Sequence, residues 1–121
     1  MKSLAQQIEK PWGHEVRWAA NEKYIGKIIH INRGKRLSLQ YHEVKDESVL
    51  VLNGILVVHI GVTEDNKPES ILVLKQGESM RIKPKMIHRF CAPMDGHVRL
   101  IEVSTPEMDD VVRLQDDYGR A

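Results

Sequence analysis

One cysteine among 121 residues, Cys91, excludes a disulfide within the chain. No apolar run approaches the roughly 20 residues that a membrane-crossing helix needs. Stretches such as 55–58 stop after a few residues. Residues 1–10 have no apolar leader core, and with the lone cysteine this leads us to expect the reducing cytoplasm. Charge of one sign is also lacking: the net charge is +1, with Lys and Arg spread along the chain. That excludes a dedicated nucleic-acid binder, which would carry a basic stripe. It leaves room for a local basic pocket that takes a small anion. Repeats, low-complexity stretches and linkers are absent, so we expect one domain over 1–121, with a short N-terminal arm (1–13) and a C-terminal tail (105–121).

A sustained 3.6-residue period is missing too. Only residues 4–9 and 109–114 suggest short helical turns. The apolar residues instead form short Val- and Ile-rich runs cut by Gly, Pro, Asn and Asp, a strand-and-turn pattern. The predicted strands are 14–18, 24–31, 36–42, 48–52, 55–60, 70–74, 79–82, 88–92 and 97–103. Asn53-Gly54 between two such runs predicts a tight hairpin, since both residues tolerate positive φ. So many short strands in one domain mean an all-β sandwich or barrel.

Side chains alternate along a strand. In 36–42, that puts Arg36, Ser38, Gln40 and His42 on one face and Leu37, Leu39 and Tyr41 on the other. A polar row either faces water or lines a cavity, and periodicity alone does not choose. Glu47 stands just before the apolar run Val49-Leu50-Val51-Leu52, and His88 opens a later strand. Two imidazoles, a carboxylate and an amide oxygen suit a borderline divalent cation and leave coordination positions open.

The spacing resembles a known pattern. Gly34, five residues, Gln40-x-His42, four residues, Glu47, six residues and Gly54 are similar to the first motif of the cupins. Gly77-Glu78-Ser79-Met80-Arg81-Ile82 with Pro84 and His88 resembles the second. Gln40 replaces the usual first His, Lys83 and Lys85 replace Pro and Gly, and Ala92 stands where an Asn is common. Gln at position 40 points to one branch, the type II mannose-6-phosphate isomerase cupin domain of bifunctional mannose-1-phosphate guanylyltransferase/isomerases. Lys10-Pro11-Trp12-Gly13, Arg36-Leu37-Ser38-Leu39-Gln40-x-His42, Leu100-Ile101-Glu102-Val103 and the ending from Asp110 to Arg120 carry this resemblance over most of the chain. The chain departs from it in having Glu43-Val44-Lys45-Asp46 where a His cluster is frequent. No nucleotidyltransferase segment stands among these residues.

The resemblance implies a double-stranded β-helix, the cupin jelly-roll barrel, paired as a homodimer. It implies one divalent metal ion on Gln40, His42, Glu47 and His88, with zinc expected first and manganese, cobalt, nickel or iron as alternatives. A small sugar phosphate or related polar metabolite is the expected partner, with neither nucleic acid nor membrane. Glu102, a carboxylate in an apolar strand, is the candidate general base; a salt bridge at the barrel rim is the other reading. Arg36 and Lys10 are the candidates for holding a phosphate. Arg36 could equally snorkel to solvent, and the Lys10 segment could simply pack the arm. Three functions stay open: a sugar-phosphate aldose–ketose isomerase, another metal-dependent cupin enzyme such as an oxygenase, and a non-catalytic sugar- or metabolite-binding module.

Overall fold

The computed structural model describes residues 2–121, and among them it contains strands but no helix. The strands are β1 (Gln6–Lys10), β2 (Gly13–Ala20), β3 (Ile25–Ile31), β4 (Leu39–Tyr41), β5 (Glu47–Asn53), β6 (Leu56–Ile60), β7 (Ser70–Leu74), β8 (Ser79–Ile82), β9 (His88–Cys91), β10 (Val98–Ser104) and β11 (Val112–Gln115). One sheet has the order β1-β2-β3-β10-β5-β8 and the other β11-β4-β9-β6-β7. Every pairing is antiparallel. Among the described residues no helix is long and apolar enough to cross a membrane.

Alternation decides what lies between the sheets. On β3, Ile25, Lys27, Ile29 and Ile31 point inward and are buried. On β10 the inward set is Val98, Leu100, Glu102 and Ser104, and on β5 it is Glu47, Val49 and Val51. Each inward row changes character along its strand. Ile31 and Ile29 give way to Lys27, Val98 and Leu100 to Glu102, Val51 and Val49 to Glu47, and Ala92 and Phe90 to His88. The antiparallel register brings the polar residues to one end: Glu102 faces Lys27, Glu47 faces Ser104, and Gln40 faces His88. The barrel therefore has an apolar end and a polar end.

The apolar end is the core, built from Trp12, Ile31, Val51, Leu56, Val58, Phe90, Val98, Leu100 and their neighbours. Leu100 is fully buried within it. Leu100→Ala should cost about 2–5 kcal/mol, the range for truncating a buried Leu. Urea unfolding would measure it; a loss under ~1 kcal/mol would mean this core collapses around the gap or carries little of the stability.

Four expectations need correction. Residues 4–9 and 109–114 are not helical turns. The first region enters β1, an edge strand zipped onto β2 from Gln6↔Arg17 to Lys10↔Gly13, and the second enters β11 on β4. Cross-strand pairing overrides weak local preference there. Asn53-Gly54 is not a hairpin turn, because β5 and β6 belong to different sheets. Only Gly54 has positive φ, +87°, and a Cβ there would sit 2.5 Å from the His97 carbonyl oxygen. The pair carries the chain from one sheet to the other. The strand expected over 36–42 shrinks to β4, preceded by a lone bridge from Arg36 to Cys91.

Candidate metal centre and cavity

The polar end of the barrel encloses a cavity of about 390 Å³. Ile29, Leu37 and Phe90 form its apolar floor, and Gln40, His42, Glu47 and Glu102 are among its polar walls. The C-terminal tail contributes Asp110, Arg113 and Arg120.

The structure brings His42, Glu47 and His88 together, with one potential ligand atom from each within 4.8 Å of the others, all three buried. No other such group of His, Cys, Asp and Glu stands among the described residues. His42 Nε2 lies 2.9 Å and His88 Nε2 3.6 Å from the same Glu47 oxygen, Oε1. Gln40 lines the same cavity, directly across the strand pair from His88.

The hydrogen bonds on the far sides of the two rings test whether a metal ion fits. His42 Nδ1 meets the Asp110 backbone carbonyl, and His88 Nδ1 meets that of Met86 at 2.9 Å. A carbonyl only accepts, so both Nδ1 atoms carry the hydrogen. In a neutral ring each Nε2 then presents a lone pair to Glu47, also an acceptor. Such an arrangement needs a cation between the groups, either a proton or a metal ion. For His88 burial disfavours the proton: it lowers the imidazole's basicity despite the nearby Glu47 carboxylate. Its Nε2 is buried without a hydrogen-bond partner. Backbone acceptors on Nδ1 with free Nε2 atoms are how proteins orient imidazoles for a metal. The donor set fits a divalent ion, and cupin folds commonly bind one.

A second carboxylate completes this end. Burial and the Glu47 charge push the Glu102 carboxyl well above the usual carboxylate range. Burial acts on Glu47 in the same direction, but the Glu102 carboxyl and the Lys45 charge outweigh it and hold Glu47 well below that range. The two carboxyls are thus pushed in opposite directions, Glu102 up and Glu47 down. Lys45 Nζ lies 3.6 Å from Glu102, and despite its burial the neighbouring carboxyls of Glu102 and Glu47 raise the basicity of its ammonium.

Asp110 holds the intervening loop. Its carboxylate accepts the backbone N–H groups of Glu43, Val44 and Lys45 at 3.0, 2.8 and 2.9 Å, while its carbonyl anchors His42. In the sequence Asp110 stands out only as part of the tail, and no motif marks Glu15, Arg17, Lys27 or Lys45 as the cavity residues they are. For Lys27 the signal was present, since a lysine on the inward face of an isoleucine strand has to meet something polar.

Lys10 lines the cavity, 3.9 Å from Glu15. Arg36 does not. Leu37 and Ser38 both face the cavity, so alternation fails between them and Arg36 falls on the outer side. There it is gripped by Asp117 at 2.7 and 3.0 Å and lines a separate cavity with Leu39, His59 and Arg89. Arg89 points outward, its Nε donating to the Leu37 carbonyl. Tyr118 packs against the core and donates to the Arg36 carbonyl, a structural role for that part of the tail.

Two antiparallel sheets closed around a buried His-Glu-His cavity define the cupin class, the double-stranded β-helix. A solved RmlC-like cupin from Shewanella frigidimarina superimposes with a TM-score of 0.72 at 19% identity, covering 87% of this chain and 86% of that one. The chain belongs to the family described as mannose-6-phosphate isomerase C-terminal, whose sequence profile matches residues 1–116. It is 30% identical over 118 residues to the xanthan biosynthesis protein XanB of Xanthomonas campestris, covering 95% of this chain and 24% of XanB. It is 33% identical over 120 residues to the mannose-1-phosphate guanylyltransferase ManC of Salmonella typhimurium, covering 97% of this chain and 24% of ManC. The chain thus spans about a quarter of the length of these relatives and is related to their C-terminal cupin domain.

Proposed function

We propose that this domain is a metal-dependent aldose–ketose isomerase acting on a sugar phosphate of the mannose 6-phosphate kind. The observation that carries the reading is the placement of a buried carboxyl, Glu102, in the same polar cavity as Gln40, His42 and Glu47, with His88 beside Glu47. Gln40, His42, Glu47 and His88 would hold one divalent ion, with zinc first among the candidates. When bound, that ion would supply a Lewis acid for the substrate's C1 and C2 oxygens. Glu102 would carry the proton between C1 and C2, one carboxyl oxygen serving first as base and then as acid. The Lys45 ammonium, 3.6 Å away, stabilises its ionised form. The apolar floor of Ile29, Leu37 and Phe90 shields the reacting carbons from water.

Protein loaded with zinc or manganese should convert mannose 6-phosphate to fructose 6-phosphate, and chelation should abolish the conversion. Loaded protein that binds the sugar phosphate without converting it would instead support the second reading, a non-catalytic sugar-binding module. Glu43-Val44-Lys45-Asp46 in place of a His cluster favours that alternative. An oxygenase is disfavoured by Gln40, which stands where a third imidazole would be. The single free Cys91 supports a reducing cytoplasm. Exposed Trp18, Leu50, Leu52 and Val103, all on the six-stranded sheet, support a homodimer. Its sedimentation mass should be twice the 13.9 kDa of the chain, and a monomer mass would remove it.

A further inference from the structure

The six-stranded sheet carries a group of cations into the cavity that the proton-transfer chemistry does not use. Three of them converge on one carboxylate. Lys27 Nζ lies 3.2 Å, an Arg17 terminal nitrogen 3.2 Å and Lys10 Nζ 3.9 Å from Glu15. All four residues line the cavity, and Glu15 is only 4% exposed. One negative charge does not balance three positive ones. Lys27 and Glu15 are buried and Lys10 and Arg17 partly so, and charge excess shielded from water in this way is costly unless an anion completes it. Two further observations point to a missing partner. Arg17 Nε is buried with no hydrogen-bond partner. The Lys10 ammonium is also destabilised: burial, together with the charges of Lys27, Arg120 and Arg17, outweighs the attraction of Glu15.

We propose that Arg17, Lys27 and Lys10, held in array by Glu15, form the seat of a doubly charged phosphate monoester. This deepens the isomerase reading and rests on it, for it assigns the phosphate end of the same substrate. Three cations, one carboxylate and one dianion sum to zero, so the seat selects a monoester over a singly charged diester or carboxylate. The placement suits such a molecule. Arg17 faces Lys27 across β2 and β3, and Lys27 faces Glu102 across β3 and β10. Each strand step is about 4.8 Å, which sets Arg17 roughly 10 Å from Glu102 along the sheet. A hexose phosphate spans that interval with its carbonyl end at Glu102. Arginine offers a fork of donors to phosphate oxygens, and Arg17 has its Nε free for one of them.

Calorimetric titration tests the seat without requiring turnover. Inorganic phosphate and mannose 6-phosphate should bind the wild-type protein, and unphosphorylated mannose far more weakly. Arg17→Met and Lys27→Met should each weaken phosphate by about 10–100-fold, the worth of one charge-assisted hydrogen bond. Metal uptake should stay as in the wild type, and circular dichroism should show both variants folded. Arg36→Ala, a change on the outer side of the barrel, should leave phosphate binding untouched. Phosphate bound equally well by both Met variants would overturn the seat, as would loss in Arg36→Ala alone. The two readings separate cleanly. Phosphate binding that needs Arg17, in a protein that never isomerises a sugar phosphate, sinks the isomerase and keeps the seat. Isomerisation with an unchanged KM in Arg17→Met does the reverse.

Discussion

Glu102→Gln is expected to lower kcat for sugar-phosphate isomerisation by about 10²–10⁴-fold, the usual contribution of a positioned acid–base group. The substitution is informative because it is nearly silent in every other respect. Glu102 is buried, and burial together with the Glu47 charge pushes its carboxyl well above the usual carboxylate range. A glutamine has the same shape and also donates a hydrogen bond, so the Glu47 contact survives. Metal content and KM should therefore stay close to wild type while turnover falls. The lost quantity is the ability to take up and release a proton, which an amide lacks. Steady-state kinetics beside a metal analysis would measure both. Turnover within a few-fold of wild type would make Glu102 a structural partner of Lys45 and Glu47 and no more.

The second large effect concerns the metal itself. Removing an outer-shell partner of a metal-bound imidazole typically costs 10–100-fold in affinity, so removing a ligand should cost more than about 100-fold. His42→Ala and His88→Ala should each lose bound metal to that degree and remain folded. The apolar end of the barrel, with Leu100, Val98 and Leu56 fully buried, does not depend on either ring. Each substitution leaves one backbone carbonyl, of Asp110 or Met86, without its imidazole donor, a cost of about 1–3 kcal/mol that the apolar end is expected to absorb. Circular dichroism and equilibrium dialysis with zinc check the two halves. Variants that unfold when stripped of metal would mark the centre as structural; variants that bind zinc as well as the wild type would remove the histidines from it.

The strands that build this centre were legible because their inward faces alternate cleanly. β3, β5 and β10 each carry a row of Ile, Val or Leu at every second position, and the structure buries those rows. The same rows also announce the cavity. Lys27, Glu47 and Glu102 interrupt them on the buried face, and the register sets them at one level. Gln40, His42, Glu47 and His88 could be nominated through motif spacing, which resembles the cupin pattern. Other features depend on contacts between distant segments. Gln6-Gln7-Ile8-Glu9-Lys10 has almost no apolar content, and only its pairing with β2 makes it a strand. Arg36 was misplaced because regular alternation was extended through residues 37 and 38, where the chain is not a strand. Asp110 caps a loop more than sixty residues away, as its hydrogen bonds with Glu43, Val44 and Lys45 show, and nothing local marks it for that work.

The arrangement at the polar end depends on one claim, that the lone pairs of His42 Nε2 and His88 Nε2 converge on a metal ion beside Glu47. An anomalous difference map from crystals grown with zinc tests it most directly. The account predicts one strong peak in the barrel cavity, about 2.0–2.1 Å from both Nε2 atoms, with oxygens of Glu47 and Gln40 completing the protein ligands. A map with no peak there, or with zinc only at surface histidines, would contradict it.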